Sequence, residues 1–315
     1  MNTFLTSAVL LSVLSPAAAF AQAAPPATPV PPATAPAPRT ETLRLKFKSG
    51  EMLYYRLVEE TAGSYREPRG KLTPIQSHLE IGMHQTTTDR READGAGLIR
   101  FGIDSMTVTV DKKPPNDPAP DPAVLANLAA LVVLPSGKLE DTAINPAFDA
   151  KESLPGEDPA HMNALAGFGE LPPAPVSVGS RWKSPVFLGL IGEKTAADLS
   201  LTAWETKDVA TLAVITQALK GSFSTPPPEI KPDSDPQRRG DMKITGWTAG
   251  TRTVRLNVEA GRVESQESVV WMTVLLTPRD ENGKFTGLPT RMWIKVTSTL
   301  VRTAAPTKAA SGAPT

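Results

Sequence analysis

In the run TLRLKFK the apolar residues Leu43, Leu45 and Phe47 alternate with Arg44, Lys46 and Lys48, and this alternation returns over most of residues 41–302. Successive side chains of a strand point to opposite faces, so a period of two marks half-buried strands and excludes a helical bundle. Ser49 and Gly50 offer a turn, and Leu53, Tyr55 and Leu57 repeat the pattern, which predicts a hairpin. Leu79, Ile81 and Met83 alternate against His78, Glu80 and His84, and Asp94 with Gly95 marks the next turn. The strand after it carries Ile99, Phe101 and Ile103 in one phase and Met106, Val108 and Val110 in the other. A phase change at Asp104 and Ser105 predicts a bulge or bend that carries the strand from one packing face to another.

Two stretches break the period of two. Asp121 and Pro122 form a helix-start signal before Val124, Leu125, Leu128 and Leu131, and Asp158 with Pro159 precedes Met162, Leu165 and Phe168. Each predicts a short amphipathic helix, with a strand, turn and strand around Ser136 and Gly137 between them. Residues 171–182, LPPAPVSVGSRW, then act as a hinge. Pro172, Pro173 and Pro175 fix φ and remove donors, so neither a helix nor a central strand runs through them. Trp182 closes the stretch as an apolar anchor packed with Val178, or as a platform for a ligand.

Strand patterns resume with Leu199 and Leu201, Leu212 and Val214, Val254 to Val258, Val269 to Leu276, and Met292, Ile294 and Val296; residues 224–240 are a long inserted loop. A G-[KR]-[LV]-E turn occurs at Gly137 and again at Gly261, and Gly50 and Gly179 lie nearly the same distance apart, which suggests duplication. The expected fold class is mainly β with minor α: strongly curved antiparallel sheet in two similar β halves, residues 41–170 and 171–302, with two short helices.

Lys plus Arg and Asp plus Glu both number 33, so the field of the whole protein attracts neither nucleic acid nor an anionic membrane. The absence of cysteine excludes disulfides, thiolate metal sites and a cysteine nucleophile. An apolar run from Phe4 to Phe20 ends in Ala19-Phe20-Ala21, which reads as a signal peptide over 1–21 with the mature chain starting at Gln22. No Lys or Arg precedes the run, so an uncleaved anchor stays open. Residues 22–40 read as a disordered Ala/Pro-rich linker and 303–315 as a disordered tail. After signal cleavage no segment is long and apolar enough to span a membrane as a helix. The expected location is exported, periplasmic or extracellular.

Chemistry-bearing groupings are few. His78 and His84, six residues apart on one strand face, stand about 20 Å apart, too far to share one zinc ion. Ser180 and Lys183 spell S-x-x-K, but strand-like sequence sends positions three apart to opposite faces. Glu59, Glu60, Asp89, Asp94 and Asp104 supply carboxylates without selecting a pair. No catalytic residue, metal ligand or cofactor is therefore assigned. A bent sheet leaves a concave apolar face, and Phe101, Leu128, Leu165, Phe168 and Trp182 are the residues expected to line a ligand there.

The run from Gly50 to Tyr54, the PSGKLE turn and LPPAPVSVGSRW together resemble uncharacterised exported bacterial β-rich proteins of unknown function. A long-stranded curved sheet capped by short helices is similar to the half-barrel of LolA-like lipoprotein carriers. The resemblance implies an envelope location and a β-rich fold. Three functions follow as expectations: non-catalytic binding of an apolar or lipid-type small molecule; a structural role in which proline-rich loops and strand edges engage an envelope protein; and a hydrolase with a carboxylate-based site. Nucleic acid is not an expected partner.

Overall fold

The computed structural model describes residues 39–113, 122–144, 169–187, 194–224, 242–278, 285 and 288–305. The proposed signal peptide, the second helix and nearly all of the 224–240 loop lie outside the described residues. Described residues form β1 (Met52–Arg66), β2 (Leu72–Arg90), β3 (Gly97–Val110), α1 (Pro122–Leu125), β4 (Ala129–Val133), β5 (Leu139–Ile144), β6 (Arg181–Phe187), β7 (Lys194–Lys207), β8 (Ala210–Ser224), β9 (Met242–Asn257), β10 (Arg262–Pro278) and β11 (Thr290–Thr303). The protein is mainly β.

All eleven strands join one antiparallel sheet in the order β5-β4-β3-β2-β1-β11-β10-β9-β8-β7-β6. The chain meanders outward from the centre to β5, crosses to the far edge at β6, and meanders back until β11 pairs with β1. One face of the sheet carries two apolar clusters. The first holds Leu199, Leu201, Ile215, Val254, Leu256, Val270 and Val296; the second holds Leu57, Leu79, Ile81, Met83, Ile99, Phe101 and Leu131. We call this the inner face.

The phase change in β3 is a bulge. Gly82 pairs with Ser105 and Met83 with Ile103, so Asp104 is the extra residue. Its effect differs from the expected change of face: Met83 and Ile81 are both inner, so Ile103 and Met106 opposite them face the same side. The added residue absorbs the phase change and keeps both apolar sets on one core. In β8 the inner residues are Ala213 and Ile215, one step out of phase with the alternation of Leu212 and Val214.

Residues 39–50 do not form the expected hairpin with β1, whose two edges are taken by β2 and β11. They cross one end of the sheet as an extended strap. Glu41 bridges to Val176, and the consecutive N–H groups of Leu45 and Lys46 donate to Pro135 O at 2.7 Å and Gly261 O at 2.9 Å. These acceptors belong to the two turns that share the repeated motif, with Gly137 at φ 83° and Gly261 at φ 62°. Cations pin the strap. Arg44 donates to Pro172 O and Pro173 O, both at 2.7 Å, and Lys46 to Glu259 O at 2.9 Å. Leu43 is fully buried in the first cluster, and Leu45 packs against both.

The first helix is shorter than its apolar spacing predicts. α1 has four residues, and Leu131 belongs to β4, because the Leu128 N–H donates to Phe101 O at 2.9 Å and draws the chain into the sheet. The proline hinge carries the chain toward β6. Within it, the Glu170 N–H donates to Ser184 Oγ on β6 at 2.5 Å, while the Leu171 N–H donates to Ser136 O in the β4–β5 turn at 2.6 Å.

Candidate ligand-binding face

Across the middle of the inner face, register places five polar residues directly opposite one another on adjacent strands: Glu59 with Ser298, Ser298 with Ser268, Ser268 with Arg252, and Arg252 with Gln217. None is more than 3% exposed. The row runs on through Leu79 at one end, and through Leu199 to Trp182 at the other. Each member keeps the apolar phase of its own strand, standing two residues from a core residue such as Leu57, Val296, Val270, Val254 or Ile215. Burying such groups without partners costs about 1–3 kcal/mol each.

The two serines satisfy each other, with Oγ atoms 2.7 Å apart. Glu59 Oε1 and both polar atoms of the Gln217 amide have no hydrogen-bond partner. Burial alone pushes the Glu59 carboxyl well above the usual carboxylate range, which favours its protonated form. Burial draws the Arg252 guanidinium down to about 10. One level further along, Thr61 stands opposite Ser77, and neither hydroxyl has a partner.

Between this row and the strap lies a cavity of about 60 Å³. Its walls include Tyr55, Met83, Ile99 and Phe101 from the sheet, Gln266 from β10, and Leu45 and Phe47 from the strap. Desolvation lifts the Tyr55 hydroxyl to about 12, so it stays protonated. The volume is enough for a few water molecules. The strap side chains take up the rest of the space: a Cβ on Gly97 would collide with the Phe47 ring, which rests directly on β3.

Of the residues expected to line a ligand, Phe101 is in the cavity wall and Leu128 packs in the same cluster. Trp182 packs against the other cluster, half-buried, and its indole N–H donates to Glu170 O at 2.9 Å. Its expected companion Val178 is 53% exposed and does not share the site. Leu165 and Phe168 lie outside the described residues. The polar row escaped the sequence analysis, although its signal was legible: Glu59 and Arg252 occupy apolar-phase positions of strongly alternating runs.

The histidines stand apart on the outer face. His78 Nδ1 lies 2.6 Å from Glu60 and His84 Nδ1 lies 2.8 Å from the bulged Asp104. Among the described residues no group of three or more His, Cys, Asp or Glu is placed to hold a metal ion. Ser180 Oγ accepts the Ser177 N–H at 3.0 Å in the turn before β6, and Lys183 approaches Asp198 at 4.0 Å instead. No described helix is long and apolar enough to cross a membrane.

These features define a single-sheet, mainly β protein with a buried polar row on its inner face. No protein-family model matches the sequence. No curated protein matches it either. Among solved structures it shows weak similarity to a LolA superfamily protein from Nitrosomonas europaea, with 9% identity over 83% of this chain and 90% of that one and a TM-score of 0.14. It shows equally weak similarity to a putative outer membrane lipoprotein-sorting protein domain from Vibrio parahaemolyticus, at 5% identity, 80% and 87% coverage and a TM-score of 0.14.

Proposed function

We propose that this protein is an exported, non-catalytic binder of an amphipathic, lipid-type ligand, held with its apolar part against the inner face and its polar group at the Glu59–Gln217 row. The row carries the proposal. A filled core gains nothing from an unpartnered carboxyl and an unpartnered amide, whereas a ligand site needs a few polar groups set in an apolar wall. With burial favouring its protonated form, Glu59 can donate one hydrogen bond and accept others, which suits a carbonyl, ester or hydroxyl better than a cation.

Curvature of the sheet belongs to the proposal and has its own support. β4 and β6 are nine strand spacings apart in the sheet order, about 43 Å on a flat sheet. Yet the consecutive residues Glu170 and Leu171 bond to β6 and to the β4–β5 turn. A sheet bent toward a half-barrel reconciles the two, and the strap then closes one end of its concave side. The β3–β4, β8–β9 and β10–β11 connections all leave from the opposite end, where a ligand would enter. In this arrangement Phe101, Leu128 and Trp182, with Leu165 and Phe168, are the proposed apolar lining, and residues 41–170 and 171–302 are the two halves of the duplication.

A cavity of about 60 Å³ accepts no acyl chain, so binding requires Leu45 and Phe47 to withdraw. The same small volume favours a second reading, in which the inner face is a permanent core and the protein engages an envelope partner through its edge strands β5 and β6. Native mass spectrometry of protein purified from its own envelope, with titration of a fluorescent fatty acid, separates them. A mass adduct and saturable uptake that weakens in Glu59→Leu support the binder; their joint absence leaves the structural role. Export is tested separately by intact mass, which should begin at Gln22; retention of Met1 refutes cleavage.

A further inference from the structure

The outer face carries a feature unconnected with the inner one. Trp247, Trp271 and Trp293 lie on the adjacent strands β9, β10 and β11 and are 43%, 42% and 38% exposed. Trp247 and Trp293 both stand opposite Thr273, and Trp271 precedes Thr273 by two residues on the same face, so the three indoles surround one threonine. Lys295 and Ala249 stand opposite Trp271, Lys220 opposite Ala249, Arg291 opposite Leu275, and Lys243 opposite Thr277. The outer positions of β8–β11 from the level of Lys220 to the strand ends near Pro278 therefore hold four cations and no carboxylate. Among the described residues none of the four is ion-paired. The balanced composition of the whole chain conceals this local charge.

We infer that this patch docks the protein on an anionic phospholipid surface, with the three indoles at headgroup depth and Lys220, Lys243, Arg291 and Lys295 against lipid phosphates. Indole is an amphipathic ring suited to the membrane–water interface, and basic side chains beside it supply the attraction to anionic lipid. Charge complementarity selects this occupant. A second copy of the chain would set four cations against four. A neutral glycan would meet only threonine and serine hydroxyls beside the rings, with no carboxylate or amide to bind its hydroxyl groups. Opposite charges elsewhere on the outer face are spent internally, as in Arg255 with Glu205 and Glu267 at 2.9 and 3.0 Å.

Sedimentation of the full chain with vesicles of phosphatidylcholine alone, and of phosphatidylcholine mixed with phosphatidylglycerol, tests the inference. Binding should require the anionic lipid and weaken with added salt. Each basic residue near such a surface is worth about fivefold in partitioning, so Lys220→Gln with Lys295→Gln should lower binding about 25-fold. Both side chains are exposed, which keeps the test valid even where Trp271→Ala fails to fold. Trp271→Ala, where its melting transition is preserved, should reduce the blue shift of tryptophan emission on vesicles, with Trp247 and Trp293 left to report the remainder. Equal binding to both vesicle types, or binding unchanged in the double lysine variant, overturns the inference. So does loss of self-association or of dextran sulfate binding in the variants without any vesicle binding by the parent chain.

Discussion

Glu59 on β1 stands directly opposite Ser298 on β11, at the junction of the first and last strands, and the two residues are 1% and 2% exposed. The carboxyl takes no hydrogen bond from that serine, whose Oγ is engaged with Ser268. Its folded pKa is raised by burial above the unfolded value near 4.3. The native state therefore holds a proton that the unfolded chain has lost, and stability is fully present below about pH 4.3 and declines as pH rises toward the folded pKa. Glu59→Gln removes the titrating group at nearly constant shape. Denaturant midpoints of the parent should fall as pH rises above about 4.3, and the variant should lose most of that fall. Identical profiles would show that Glu59 ionises normally.

Asp94 acts with the opposite sign at lower pH. Arg91 and the Ala96 N–H hold its carboxyl down at about 2, so its contribution is present above the unfolded value near 3.9 and is lost as pH falls through about 2. Asp94→Asn should flatten the acid limb of the stability profile without altering the limb assigned to Glu59.

The strap is testable by truncating its side chains. Leu43 is fully buried, and Leu43→Ala should cost about 2–5 kcal/mol in chemical denaturation. Leu45→Ala with Phe47→Ala should instead enlarge the cavity and raise the affinity for a fluorescent fatty acid. Lower affinity in that double variant would mean that the strap side chains form part of the binding wall.

Trp182 is anchored at one atom and half-buried elsewhere. Trp182→Phe removes the 2.9 Å bond to Glu170 O and should cost about 1 kcal/mol, whereas Trp182→Ala should cost about 3 kcal/mol. An unchanged midpoint for the alanine variant would show that the ring contributes no packing.

The bulge gives a paired test. Deletion of Asp104 leaves Ser105 opposite Gly82 and keeps Met106, Val108 and Val110 inner, so the fold should survive it. Deletion of Thr107 turns Val108 and Val110 outward and should cost about 2–4 kcal/mol. Equal midpoints for the two deletions would contradict the register.

The strands were legible because a one-sided sheet writes its burial as a period of two, and Leu79, Ile81, Met83, Val254, Leu256, Ile294 and Val296 all fall where that pattern puts them. The strap was not, because Leu43, Leu45 and Phe47 alternate as a strand does while bonding to separate turns: an extended chain pressed between two cores needs the same pattern without a ladder. α1 was overestimated because Leu131 at helical spacing is also an inner residue of β4, opposite Ile99. The outer tryptophans carry no periodic signal of their own. Only register, which joins residues far apart in sequence, brings Trp247, Trp271 and Trp293 together.

The pairing of β1 with β11 has a consequence for how the chain folds. Every other strand contact joins neighbours in sequence, yet the central ladder waits for the last strand to be synthesised. Until then two partial sheets, β1–β5 and β6–β10, each present an open apolar edge, and closing a loop that spans the whole domain is slow. A chain built this way keeps its central ladder open until β11 has emerged, so its two partial sheets stay exposed to other strand edges for as long as that takes.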